Sequence, residues 1–341
     1  MTLNVNDLQT PALILDSGAL ESNLATMAAL LPGERCRPHV KAHKTTSLAR
    51  RQSAHGHLGF TCATPREVIG MANAGLGHDL LLANESVDPV RLAAMALLVE
   101  QEKARITIAL DSIETVNAAA DAGLREALID VEVGLPRCGV PPEGAGAIAD
   151  AARTRGLSVR GVMGYEGHVV GLASHEERTR LTEEAMALLL KAHGDVGGEI
   201  ISAGGTGTYA INTWANEIQA GSYALMDTAY SALALPFVQA LKVIATVVSV
   251  SPKGWAVCDI GLKSLGMDHG NPLVEGADVF FCSDEHTTIL PHEGSHLKVG
   301  DRVMVTPAHL DPTVAYHDKM HLTEAGGDSI IETWAVDLRG W

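Results

Sequence analysis

At 341 residues, with 46% apolar side chains and a formal net charge of −16, the chain is long enough for one large domain or two and for a substantial buried core. A balance this acidic, with a pI near 5.3, argues against nucleic-acid or membrane-surface partners, either of which would select an excess of cations. No window reaches the length of a membrane span, residues Met1 to Ala19 lack the pattern of a signal peptide, and the five scattered cysteines (Cys36, Cys62, Cys138, Cys258, Cys282) form no Cys-x-x-Cys pair, so the expectation is reduced thiols in a cytoplasmic protein.

In chain order, Pro11 to Asp16 reads as a strand and Ala19 to Leu31 as an amphipathic helix. Eight candidate strands follow: Cys36 to Lys41, His57 to Ala63, Asp79 to Asn84, Arg105 to Asp111, Ala127 to Val133, Val159 to Tyr165, Ile200 to Ala203 and Ile218 to Met226. Helices are expected in the gaps. The clearest begins at Thr64-Pro65-Arg66-Glu67, where Thr64 can cap, Pro65 suits the first helical position and Glu67 can return a bond to the cap. Eight such alternations predict an α/β fold, a (β/α)8 TIM barrel, with an open doubly wound sheet as the alternative. Beyond about Leu235 the rhythm changes to strands without long helices: Val243 to Val250, Trp255 to Ile260, Val279 to Ser283, Arg302 to Thr306 and Ile330 to Val336. This predicts a C-terminal antiparallel β domain over 239–341, joined by the N-terminal strand of 1–16, with the barrel over 17–238.

If the barrel forms, its unusual residues fall at strand C-terminal ends, where such folds place their chemistry. Lys41, in Arg37-Pro38-His39-Val40-Lys41-Ala42-His43-Lys44-Thr45, is an amine among cations (Arg37, Lys44) and imidazoles (His39, His43) that favour early loss of its proton, leaving it able to attack an aldehyde. Arg137 follows the fifth strand, and Tyr165 and His168 the sixth. The turn Gly204-Gly205-Thr206-Gly207 after the seventh would expose backbone N–H groups to a phosphate. Gly221-Ser222-Tyr223 is expected inside the eighth strand. Taken as extended, Pro307-Ala308-His309-Leu310-Asp311 would point His309 and Asp311 to one face, where a nitrogen and a carboxylate suit Mn²⁺ or Mg²⁺ more than Zn²⁺.

Arg37 to Thr45 also resembles the cofactor-lysine segment of the D-threonine aldolase, 3-hydroxy-D-aspartate aldolase and D-serine dehydratase group, fold-type III relatives of alanine racemase. The resemblance extends through Gly134-Leu135-Pro136-Arg137-Cys138-Gly139, Ser202 to Gly207, Asn216 to Asp227, Asp259 to Lys263, Cys282 to His286 and His309 to Asp318. It implies pyridoxal 5'-phosphate bound covalently by Lys41, with Arg137 at the phenolic oxygen and Tyr165 among the cofactor-binding residues. Gln219 would face the ring nitrogen, and Gly204, Gly205, Thr206, Gly221, Ser222 and Tyr223 the phosphate. It further implies a divalent metal on His309 and Asp311 and a homodimer. The implied activity is retro-aldol cleavage of a D-3-hydroxy amino acid to glycine and an aldehyde. The dehydratases carry His-x-Cys where this chain has His309-x-Asp311, which favours the aldolase; elimination by a dehydratase, non-catalytic cofactor binding and racemisation are the competing readings. One departure stands out: where the aldolases have Tyr-x-Gly-x-x-x-His, this chain has Gly171 in the last place, so His168, or else His43, becomes the candidate base.

Overall fold

The computed structural model describes residues 3–341, which divide into two compact units. One comprises Met27–Lys41, Leu48–Gly221 and Leu338–Trp341; the other comprises the chain up to Thr26 together with Ala42–Ser47 and Ser222–Asp337.

The chain enters the second of these through β1 (Ala12–Asp16) and then builds a parallel sheet from β2 (Gly59–Cys62), β3 (Asp79–Leu82), β4 (Ile106–Leu110), β5 (Glu126–Asp130), β6 (Ser158–Met163), β7 (Ile200–Ala203) and β8 (Glu217–Ile218). These seven strands lie in sequence order, each paired in parallel with the next. The expected first strand, Cys36 to Lys41, is not regular. Cys36 bridges Ile218, His39 bridges Thr61, and Val40–Ala42 winds into a single 3₁₀ turn. Pro38 has no N–H to give to a ladder, so pairing runs through its neighbours: Arg37 and His39 donate to the carbonyls of Ile218 and Ala220 (2.9 and 3.1 Å), and Thr61 donates to the Pro38 carbonyl (2.9 Å). This irregular stave joins the two sheet edges and completes the (β/α)8 ring.

Helices fill most of the gaps: Pro65–Asn73, Pro89–Glu100, Ile113–Ala122, Ala145–Thr154 and His175–Val196. Thr64 caps the first of these by accepting the Glu67 N–H, but the Glu67 carboxylate takes the Ala63 N–H rather than that of the cap residue. No helix separates β7 from β8; that gap is the glycine turn and the coil after it. The eighth strand is also shorter than expected, ending at Ile218, so Gly221-Ser222-Tyr223 lies beyond it and Ser222–Ala224 forms a 3₁₀ turn. Within the ring, Leu81, Ala109, Leu128, Met163 and Ile200 form one buried apolar layer. No helix of the described residues is long and apolar enough to cross a membrane.

The other unit is a sheet of β1 with β9 (Leu241–Val250), β10 (Ala256–Cys258), β11 (Leu273–Val274), β12 (Ala277–Cys282), β13 (Thr287–Pro291), β14 (Arg302–Thr306), β15 (Lys319–Thr323) and β16 (Ile330–Ala335). Strands β9 to β14 close into a six-stranded antiparallel barrel through the β9–β10 pairing. β1 pairs antiparallel with β9 and parallel with β15, extending the barrel as a flap. The sequence pattern missed β11, β13 and β15. It also missed the helix Leu310–Tyr316, which occupies the segment expected to be extended around Asp311.

Candidate active site

On the parallel barrel, the unusual side chains do gather near strand C-terminal ends. Lys41 sits half-buried in its 3₁₀ turn, with its N–H directed to His39 Nδ1 (3.4 Å). Its Nζ lies 6.0 Å from the centroid of the Tyr165 ring, and the Arg137 guanidinium lies 5.5 Å from the same centroid. Two cations therefore share one phenol ring. Arg37 is not one of the cations beside Lys41. It is buried at the opposite end of the barrel, paired with Asp79 at 3.0 Å and Glu217 at 2.8 Å, where β3 and β8 begin. His43 does not belong to the barrel unit: it falls in the Ala42–Ser47 segment of the other unit, fully buried, where its Nδ1 accepts the Thr45 N–H at 3.3 Å.

The glycine turn after β7 is held by Glu166, a residue the sequence pattern does not single out. Its carboxylate is fully buried and accepts from the Gly204 N–H (3.1 Å), the Thr208 hydroxyl (2.8 Å) and the Asn212 amide (3.1 Å). Gly204 has a left-handed φ of +80°, and a Cβ on Gly207 would stand 1.8 Å from the Val170 carbonyl, so both positions demand glycine. A Cβ on Gly205 would meet the Tyr165 ring at 3.5 Å, an ordinary van der Waals distance, and Thr206 is buried. Gln219 donates its side-chain amide to Ser202 Oγ (2.8 Å), which fixes the amide's orientation just beyond β8. Gly221 closes this stretch, buried.

His168 is exposed and lies against the loop after β5, where a Cβ on Gly134 would come within 3.0 Å of its ring. Gly171 has open space about it. In the same region, burial and the neighbouring Glu85 push the Asp130 carboxyl well above the usual carboxylate range, with Arg137 drawing it partly back. Burial and Glu85 likewise push the Cys138 thiol up to about 12, which makes it a poor nucleophile.

The second constellation lies in the antiparallel unit. His309 is the residue before the helix Leu310–Tyr316, and Asp311 is in that helix's first turn, so the two meet across a helix entry and not along a strand; His309 Nε2 and Asp311 Oδ2 are 3.8 Å apart. Asp268 accepts from His309 Nδ1 with both oxygens, at 2.9 and 2.8 Å, and the His269 ring stacks on His309 with centroids 3.9 Å apart at 8°. Burial nudges the Asp268 carboxyl upward, but the His309 hydrogen bond and charge outweigh it and hold the group low. Asp268, His269 and His309 offer ligand atoms all within 4.8 Å of one another. Ser222 and Tyr223 belong to this unit too: both are buried, and the Tyr223 ring meets Phe237 at 5.5 Å. The antiparallel ladder that would have revealed Asp268 is too short to read from sequence, although an Asp-His-Gly directly after Gly266-Met267 was visible.

Residues 15–229 match the family model of the alanine racemase N-terminal domain, and residues 240–323 match a putative serine dehydratase domain. A protein of Paracoccus denitrificans (strain Pd 1222) named 3-hydroxy-D-aspartate aldolase is 33% identical, over 99% of this chain and 94% of its own length. One of Arthrobacter sp named D-threonine aldolase is 31% identical, over 98% and 93%. The crystal structure of D-threonine aldolase from Filomicrobium marinum superposes with a TM-score of 0.93 at 33% identity, covering 100% of this chain and 98% of that one.

Proposed function

The chain belongs to the family of the alanine racemase N-terminal domain, and from that membership we propose that it is a carbon–carbon lyase cleaving a D-3-hydroxy amino acid, of the threonine or 3-hydroxyaspartate type, to glycine and an aldehyde. The observation that carries the reading is the grouping of the Lys41 amine and the Arg137 guanidinium about one phenol ring, with a glycine turn organised by a buried carboxylate, near one end of the parallel barrel.

These residues fit pyridoxal phosphate. The Gly204-to-Gly207 cradle is one that a single Cβ would disrupt, Lys41 offers an amine for its aldehyde, and Gln219 offers a neutral amide in a fixed orientation for its ring nitrogen. When bound, that group supplies an electron sink for the pair released as the Cα–Cβ bond breaks. Lys41 would hold it, Arg137 and Tyr165 would orient it, and Gly204, Gly205, Thr206, Gly221, Ser222 and Tyr223 would seat its phosphate. Because Gln219 is neutral, it cannot protonate the ring nitrogen as a carboxylic acid could, so the sink stays mild. His168, solvent-accessible and seated on Gly134, would take the 3-hydroxyl proton, with buried His43 the weaker candidate. The imidazole and carboxylate of His309 and Asp311 suit Mn²⁺ or Mg²⁺, an ion that lowers the pKa of a bound hydroxyl. We take the protein to be a cytoplasmic homodimer that acts on small molecules, not on nucleic acid or membranes.

A second reading, elimination to a keto acid and ammonia, is favoured by the dehydratase-type match of residues 240–323. Incubation with D-threonine, D-phenylserine and D-3-hydroxyaspartate separates the two. Glycine and an aldehyde are expected; keto acid and ammonia would move the assignment to a dehydratase, and no product from any of the three would sink both. Activity should disappear in EDTA and return with Mn²⁺.

A further inference from the structure

We propose that Asp268 is a positioning residue for the metal centre, holding His309 in the tautomer and orientation that present Nε2 toward Asp311. The inference rests on the reading of His309 and Asp311 as metal ligands and goes beyond it by adding the group behind them. A histidine that ligates a metal through one ring nitrogen donates its other N–H to an oriented acceptor, and that acceptor fixes which nitrogen is left bare. Here Nδ1 is engaged by both Asp268 oxygens, at 2.9 and 2.8 Å, while Nε2 faces Asp311 Oδ2 at 3.8 Å, a separation that two ligands of one ion can span. The Nδ1 proton is thus committed to Asp268, and Nε2 carries the free lone pair.

The backbone is arranged to bring Asp268 there. Gly266 forms an antiparallel bridge with His309, and the Thr313 hydroxyl clamps the pair, accepting the Gly266 N–H at 2.8 Å and donating to the His309 carbonyl at 2.7 Å. The approach is so close that a Cβ on Gly266 would stand 2.2 Å from Pro312 Cγ and 2.8 Å from the His309 carbonyl oxygen. Two residues further on, Asp268 meets the imidazole edge-on, and His269 covers its face. The stacked ring limits rotation of the His309 side chain about its own axis, so position and tautomer are set by different neighbours.

The test compares the full-length protein with Asp268→Ala, Asp268→Asn, His309→Ala and Asp311→Ala. Mn²⁺ affinity is read by electron paramagnetic resonance of the free ion, and the His309 tautomer by ¹⁵N-detected imidazole correlation spectra of the metal-free protein. The proposal expects an Nδ1–H tautomer in the parent and a mixture in Asp268→Ala. It also expects a roughly 10- to 100-fold weaker Mn²⁺ affinity in Asp268→Ala, with Asp268→Asn recovering much of the loss because its carbonyl still accepts from Nδ1. Parent-like affinity in Asp268→Ala would overturn it, as would weakened affinity with the tautomer unchanged, which would make Asp268 a ligand or a purely structural residue. If His309→Ala and Asp311→Ala bind Mn²⁺ like the parent, or the parent binds none, the ligand assignment itself fails and this inference with it.

Discussion

Glu166 shows how one side chain can organise a site without facing a ligand. A carboxylate removed from water is costly unless its lone pairs are met, and here three donors from the turn and the coil after it meet them. Those donors are thereby fixed relative to one another, which is the requirement for a turn that seats a phosphate. In Glu166→Gln, one carboxylate oxygen becomes an NH₂ facing donors. The variant should lose about 1–3 kcal/mol of stability and release pyridoxal phosphate more readily than the parent. Thermal denaturation and the retained visible absorbance after dialysis measure the two effects; if both match the parent, the carboxylate does not organise the turn. The sequence could not single out Glu166, because one acidic residue in Tyr165-Glu166-Gly167-His168 looks like any surface glutamate until its burial is known. Lys41 and the glycine turn were legible because their chemistry is local: an amine among histidines and a run that only glycines tolerate. Arg37 was misjudged for the same reason, since its place in the chain beside Lys41 says nothing about which end of the barrel its side chain enters.

Among the elements, the parallel strands of the barrel were readable as apolar runs at a regular spacing. The elements that failed to follow expectation are those where a single residue decides. Pro38 has no N–H to add to the ladder of the first stave, and just past the His39 bridge the chain winds into the 3₁₀ turn from which Lys41 projects. β11 is two residues long, too short for any pattern to mark. Asp311 falls in a helix because Pro312 suits the first turn and the Asp227 carboxylate accepts the Leu310 N–H at 3.0 Å, a capping contact made across 83 residues of sequence. The turn between β7 and β8 offers the sharpest test at this scale. Gly207→Ala would set a methyl 1.8 Å from the Val170 carbonyl, so the turn must move. Cofactor affinity should fall at least tenfold, about 1.4 kcal/mol, in an equilibrium titration with pyridoxal phosphate. Gly171→Ala, at a position with nothing within 4 Å, serves as the neutral control. Equal affinities in the two variants would show that the turn does not hold the cofactor.

At the scale of the whole barrel, the end opposite Lys41 is where the ring is fastened. Arg37 from the irregular stave and Arg160 from β6 both reach Asp79 at the head of β3, with Glu217 at the head of β8 and Glu126 at the head of β5 completing the cluster. Staves far apart in sequence are joined through one carboxylate, which suits the closing role of a stave that lacks a full ladder. Burial alone would raise the Asp79 carboxyl, but hydrogen bonds and charge from Arg160 and Arg37 pull it from the reference value of 3.8 down to about 2. A carboxyl lowered on folding contributes stability that is fully present above its unfolded pKa and is lost as the pH falls through the folded one. The window here therefore runs from near 4 down to about 2, and the contribution above it is on the order of 2 kcal/mol. Asp79→Asn should be less stable than the parent by about that amount at neutral pH, or by more where Arg37 and Arg160 are left with an uncompensated buried charge. The difference should shrink as denaturation curves are repeated from pH 5 toward pH 2. If it stays constant across that range, Asp79 is not ionised in the folded protein as its arginine partners require, and the fastening of the barrel must be sought in its apolar layer instead.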